Sequence, residues 1–440
     1  MDALVIEGGR RLEGTLRVLG SKNAALPIMA AALLTDEPVS IREMPDLADT
    51  RNMLRLLAEL GCHRVNEAAG PAAREYVLHT TDPGLSHARY DIVKTMRASI
   101  CVLGPMLARR GHARISMPGG CAFGHRPVDL HLKGLAALGA SISLENGDII
   151  AKAPGGRLRG TRVFLGGPFG STVLGTANVM SAACLAEGVT IIESAACEPE
   201  VVDLARMLTT MGARIHGAGS PRITIEGVTS LRGCTHNLIP DRIEAGTLMC
   251  AAAMTNGTLV LENCPLDALM AATAVLEQVG VHVRVLGASD AMRATVRVTS
   301  ERVLRPSEIT TQPHPGFPTD LQAQFMALFA LAEGNSVITE KIYPERFMHV
   351  AELARMGAQM VRQGPTVIVA GVKRLIGAPV MASDLRASAS LVLAGLAAEG
   401  TTTVSRVYHL DRGYEKLDER LRSVGASITR IDEKAGPASD

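Results

Sequence analysis

Six glycines, Gly61, Gly139, Gly212, Gly280, Gly357 and Gly425, close six copies of one phrase, and that repetition restricts the chain to folds built from a single unit used six times. Each copy has a polar or charged start, a helix of small apolar residues, a turn into a β-branched strand, a loop, an amphipathic helix and a glycine before another strand. Copy one runs from Ser21-Lys22-Asn23 through Val39-Ser-Ile41 to Leu60-Gly61-Cys62, and copy two from Arg97-Ala-Ser-Ile100 through Gly111 to Leu138-Gly139-Ala140. Copies three to six close on Met211-Gly212, Val279-Gly280, Met356-Gly357 and Val424-Gly425. The glycines fall roughly 70 to 80 residues apart, beyond the period of about 20 to 50 of solenoids, which disfavours a simple binding array.

The two helices of a copy differ in character. The first, over residues 24–34, 179–186, 247–254 and 391–398, is apolar on nearly every face, which predicts burial all round. The second, over residues 47–60, 201–211 and 412–424, alternates apolar and charged positions at helical spacing and is expected half exposed. Buried helices among strands predict an α/β fold of two inside-out globules, each of three repeated units with helices at the centre and sheets around them. A chain of 440 residues also exceeds the size at which one core stops growing. The expected domains are 22–239 and, for the second, 1–21 with 240–440, the N-terminal strand near residues 3–6 pairing into the second globule. Residues 431–440 read as a disordered tail.

With 45 Lys+Arg against 44 Asp+Glu there is no global field to attract nucleic acid or an anionic membrane, so an anionic ligand must be held by local charge. Aromatics at 3%, with no Trp, argue against base-stacking platforms. Eight Cys without a Cys-x-x-Cys pair suggest neither a metal site nor a disulfide framework, and no cofactor is called for. The N-terminus lacks a signal pattern and no apolar run has spanning length, so a soluble cytoplasmic protein is expected.

The free N–H groups at the start of a buried helix favour an anion, and a Lys or Arg placed there opposes the helix dipole unless it serves a ligand. Lys22, Arg97, Arg242 and Arg386 occupy that point in four copies and Asp320 in a fifth. Arg346 and Arg412 lie in loops after the second strand of copies five and six. In the same slot of copy two lies Met117-Pro-Gly-Gly-Cys121-Ala-Phe-Gly-His-Arg126-Pro-Val-Asp129-Leu-His131, a loop carrying a thiol and a guanidinium. Cys121 and Asp320 are the candidates for proton transfer among these cations.

Several motifs, in order, carry a resemblance: Ser-Lys22-Asn23-Ala-Ala-Leu-Pro, Met96-Arg97-Ala-Ser-Ile, the Cys121 loop, Pro240-Asp-Arg-Ile-Glu, Phe-Pro-Thr-Asp320-Leu-Gln-Ala-Gln-Phe, Arg346-Phe-Met-His-Val, Asp384-Leu-Arg-Ala-Ser and Asp411-Arg-Gly-Tyr-Glu. Over nearly its whole length the chain resembles the UDP-N-acetylglucosamine 1-carboxyvinyltransferases of the enolpyruvyl transferase family. The resemblance implies transfer of an enolpyruvyl group from phosphoenolpyruvate to the 3-hydroxyl of UDP-N-acetylglucosamine, by addition and elimination, in peptidoglycan synthesis. It implies Cys121 as proton donor to C3 of phosphoenolpyruvate and Asp320 as base at the sugar hydroxyl. Lys22, Arg126, Arg346 and Arg412 would hold phosphate and carboxylate, with Arg386 also at the substrates. Asn23, Arg97, Pro127, Val128, Asp129, Leu130, Gly170, Ser171, Thr172, Val173 and Ile342 would contact the UDP-sugar. Cys101 and Leu174 depart from the family's Trp and Gly, and Phe123 and His125 are larger than the family's residues. The alternatives are an inactive UDP-sugar-binding paralogue and the related transferase acting on shikimate 3-phosphate.

Overall fold

The computed structural model describes residues 2–66, 74–118, 128–300 and 303–433. The chain divides into two compact units, one of Gly20–Ile239 and the other of Met1–Leu19 with Pro240–Asp440. In each unit three four-stranded sheets share one plan, in which an edge strand runs parallel to its neighbour and two antiparallel strands follow. The Gly20–Ile239 unit orders them Thr235–Asn237, Val39–Arg42, Tyr76–Thr80, Cys62–Arg64; then His87–Ala88, His112–Ser116, Asp148–Lys152, Ser141–Glu145; then Arg162–Phe164, Val189–Glu193, Arg222–Glu226, Arg214–His216. In the other unit, Glu13–Arg17 is the parallel edge of copy four, beside Thr258–Cys264. The N-terminal strand Asp2–Glu7 fills the third position of copy six, between Thr401–Ser405 and Ser427–Asp432.

Residue patterning explains the layering. In Thr401–Ser405 the side chains of Thr402 and Val404 are buried and their neighbours are not, the two-residue alternation of a sheet with one face on a core. Those faces cover helices that have no exposed side: all thirteen residues of Arg242–Met254 are buried, as are Arg386 to Leu396 in Leu385–Ala397. In this unit the central helices Arg242–Met254, Gln322–Phe329 and Leu385–Ala397 pack on one another. The six repeat glycines all take the left-handed conformation, with φ of 72°, 91°, 109°, 100°, 91° and 105° in chain order, which ends each outer helix where a side chain would strain the backbone.

Three expectations are corrected. Copies two and five do not open on an α-helix: Arg97 starts a 3-10 turn, Arg97–Val102, and Asp320 lies in another, Thr319–Leu321. The second helix of copy six does not run over 412–424. Arg412 ends a 3-10 turn, Val407–Arg412, and the α-helix begins only at Leu417, after Lys416 takes φ 45° and breaks the run. The tail does not start at residue 431, because Ile431 and Asp432 pair with Ala3 and Asp2 in the last strand, while 434–440 lie outside the described residues.

Candidate functional site

In the Gly20–Ile239 unit, Ser21 caps the helix Lys22–Ala31 through its Oγ, which accepts the Ala24 N–H. Lys22 is buried at the first helical position, where the dipole opposes its charge. Its Nζ lies 3.2 Å from Asp49, a buried carboxylate in the first turn of Ala48–Glu59, which supplies the counter-charge. Asn23 follows, half-buried. Arg97, also half-buried, heads its 3-10 turn. Val128, Asp129 and Leu130 form the entry to the helix Asp129–Ala137. Gly170 and Ser171 pair with Gly167 and Gly166 in a two-residue hairpin, and Thr172 caps the helix Val173–Ala183 by accepting the Gly175 N–H. Cys121, Arg126 and Pro127, with Phe123 and His125, lie outside the described residues.

In the other unit the centre is Asp320. Its Oδ1 accepts from Arg346 at 2.8 Å and its Oδ2 from Arg386 at 3.0 Å. The two guanidinium side chains are 4% and 1% exposed and the carboxylate 26%, so the cations are packed behind an acid that a hydroxyl can still reach. Burial works against the charge on both arginines. For Arg346 the attraction of Asp320 and Asp384 outweighs it, and for Arg386 that of Asp320, Tyr414 and Asp241, so both pKa values end above the ordinary range. Nε and Nη1 of Arg386 are buried and make no close hydrogen bond among the described residues. Its guanidinium lies 5.3 Å from the centre of the Tyr414 ring.

Side chains that the motifs left unexplained support this acid. Gln324, one turn beyond Asp320, has its Nε2 3.1, 3.0 and 3.0 Å from the Asp320 carbonyl, Thr247 Oγ1 and Tyr414 Oη, three oxygens that share its two hydrogens and join copies four, five and six. Asp384 caps its helix by accepting the N–H groups of Arg386 and Ala387. Glu340, wholly buried, accepts from the Ile342 and Tyr343 N–H groups and from the hydroxyls of Thr311 and Thr319. One carboxylate thus ties the Ile342 turn to the turn that carries Asp320. Arg412 closes its 3-10 turn, half-buried. Burial holds the His349 ring neutral, lowering its pKa despite the nearby Asp384.

Sequence reasoning missed Asp49, Asn178, Thr247, Gln324, Glu340 and the role of Tyr414. The available signal was a buried polar residue within a largely apolar helix, which Asn178, Thr247 and Gln324 each present. In the unit that holds Asp320, an acid clamped by two buried cations can take a proton from a hydroxyl; in the Gly20–Ile239 unit, a lysine paired with Asp49 and a half-buried arginine can each bind a small anion. Among the described residues no helix is long and apolar enough to cross a membrane.

Comparison with known proteins places this architecture. The family described as EPSP synthase (3-phosphoshikimate 1-carboxyvinyltransferase) matches residues 6–421, and the chain belongs to that enolpyruvyl transferase family. Within it, the chain is 52% identical over 434 residues to the UDP-N-acetylglucosamine 1-carboxyvinyltransferase of Methylacidiphilum infernorum, covering 99% of this chain and 100% of that one. The protein of the same name from Akkermansia muciniphila is 51% identical, with 98% and 99% covered. The crystal structure of the enolpyruvyl transferase NikO from Streptomyces tendae superposes with a TM-score of 0.86 at 27% identity, covering 98% of this chain and 99% of that one.

Proposed function

We propose that this protein transfers the enolpyruvyl group of phosphoenolpyruvate to the 3-hydroxyl of UDP-N-acetylglucosamine, releasing phosphate, and so opens the committed route to peptidoglycan. The observation that carries this reading is identity above half, over essentially the full length of both chains, to proteins named for that activity. In the addition step the sugar O3 forms a bond to C2 of phosphoenolpyruvate as its proton passes to Asp320, while C3 receives a proton from Cys121. In the elimination step C3 loses a proton, the C2–O bond to phosphate breaks and the enol ether is left on the sugar. Lys22, Arg126, Arg346 and Arg412 serve the phosphate and carboxylate, for which charge-assisted and bidentate bonds are suited. Arg346 and Arg386, both bound to Asp320, in addition hold the base in position. Asn23, Arg97, Pro127 to Leu130, Gly170 to Val173 and Ile342 serve the UDP-sugar. The partners are these small molecules, and the compartment is the cytoplasm, where nucleotide sugars are made.

The experiment is phosphate release from phosphoenolpyruvate. Release that depends on UDP-N-acetylglucosamine, with the enolpyruvyl ether detected by mass spectrometry, supports the reading. Release that depends on shikimate 3-phosphate instead, or binding of the UDP-sugar with no turnover, replaces it with one of the two alternatives.

A further inference from the structure

One buried amide joins three segments assigned above to the UDP-sugar. Asn178 sits within the helix Val173–Ala183, 1% exposed. Its Oδ1 accepts the N–H of Gly104, at 2.5 Å, in the first turn of the helix that continues from the Arg97 turn. Its Nδ2 donates to the carbonyl of Ile100, inside the Arg97 turn itself, at 2.8 Å. The same Nδ2 lies 3.0 Å from Nδ1 of His131, on the helix that Val128, Asp129 and Leu130 begin. Two of these partners are backbone groups of fixed polarity, so the orientation of the amide is dictated by its surroundings. Nδ2 therefore meets His131 as a donor, Nδ1 must present a lone pair, and the ring proton sits on Nε2.

We propose that Asn178 is a positioning residue for the UDP-sugar, setting the Arg97 turn, the Asp129 helix start and the Thr172 helix start in register with one another and holding His131 as a neutral ring with its proton on Nε2. This rests on the functional reading given above. The packing is built around the amide. A Cβ on Gly104 would stand 2.2 Å from the Asn178 carbonyl oxygen and 2.5 Å from Oδ1, so only glycine lets the Arg97 segment come this close. A Cβ on Gly134 would stand 2.4 Å from Val179 Cγ2, so the Asp129–Ala137 helix closes on the same point from the other side. Burial, with Arg97 nearby, depresses the pKa of His131 to about 3, in accord with a ring that accepts at Nδ1 and stays uncharged.

The test pairs affinity with a spectroscopic reading. Imidazole ¹⁵N shifts of the wild-type protein should show His131 neutral and protonated on Nε2, and Asn178→Asp should move that proton to Nδ1, facing the new carboxylate. UDP-N-acetylglucosamine should bind Asn178→Leu about tenfold or more weakly, the loss expected when buried partners are left unsatisfied. Leu204→Ala, a cavity in the buried face of the outer helix Pro199–Thr210, serves as the control that lowers the melting temperature while leaving the hydrogen-bond partners of Asn178 in place. His131→Gln, which still offers Asn178 an acceptor, should keep more affinity than His131→Leu. Wild-type protein that fails to bind the UDP-sugar overturns the functional reading and this inference with it. Wild-type protein that binds, with Asn178→Leu losing no more affinity than Leu204→Ala, or with the His131 proton on Nδ1 from the start, overturns this inference alone.

Discussion

Asp320 neutralises two buried cations, and that imbalance decides which substitution does damage. Asp320→Ala removes the carboxylate that pairs with both Arg346 and Arg386, so the stability should fall by about 3 kcal/mol or more, in the range for breaking a buried pair. Arg386→Met removes a cation with two buried nitrogens that make no close hydrogen bond among the described residues and replaces it with apolar volume, so it should cost clearly less. Urea midpoints of the two variants give the comparison, and equal losses would show that the pair is not held by the acid. His131 sets a pH dependence whose sign is fixed by its burial. The folded ring has a pKa of about 3 and an unfolded ring about 6.5, so the unfolded state takes the proton first. The stability this ring confers is complete above pH 6.5 and is lost as pH falls towards 3, amounting at pH 4.5 to about 2 to 3 kcal/mol. His349, also lowered, acts in the same direction. Replacing His131 with Gln should therefore flatten the decline in denaturation midpoint between pH 7 and 4.5 without abolishing it; a decline as steep as in the wild type would mean that His131 is not buried neutral.

Repeat elements were legible where their cause is local in the chain. A helix apolar on every face declares its burial, and a glycine after an amphipathic run declares a left-handed cap. Gly212 isolates that second cause, because its φ is 109° and a Cβ there would meet nothing within 4 Å. Gly212→Ala should then destabilise by about 1 to 2 kcal/mol from backbone conformation alone, and a midpoint unchanged from wild type would remove the glycine from the argument. What could not be read was set by remote or irregular partners. The Arg97 turn is shaped by Ser99 Oγ donating back to the Met96 carbonyl, and the last outer helix is delayed by a left-handed Lys416, and neither interrupts the apolar spacing. The site divides in the same way. Lys22, Arg97, Asp320, Arg346, Arg386 and Arg412 stand in charged motifs at repeat starts or loops, which is what marks them as candidates in the sequence. Asn178 binds backbone groups 74 and 78 residues away, and Glu340 binds Thr311 and Thr319 across a turn and a strand, so nothing adjacent in sequence marks them. A polar residue alone in a buried helix predicts that a partner exists and leaves its identity open.

Taken across both units, the thiols make the proton-donor assignment testable. Of eight cysteines, the seven among the described residues all have pKa values pushed up by burial, to about 12 for Cys101, Cys184 and Cys264 and about 11 for Cys234, with Cys62, Cys197 and Cys250 also raised. The thiolate is the nucleophile, and a thiol of pKa about 12 holds only on the order of one part in ten thousand of it near pH 8. An electrophile should therefore pass over all seven. A small epoxide phosphonate such as fosfomycin, which carries charge like that of phosphoenolpyruvate, is expected to label Cys121 alone, read by peptide mass spectrometry. Cys121→Ser should lose turnover, since a hydroxyl is too weak an acid to protonate C3. Cys121→Asp should keep turnover and resist the reagent, because a carboxyl can exchange a proton without being alkylated in the same way. A label on any of the seven buried or half-buried thiols, or full turnover in Cys121→Ser, would move the proton donor to another residue and leave the loop of copy two with no part in the chemistry.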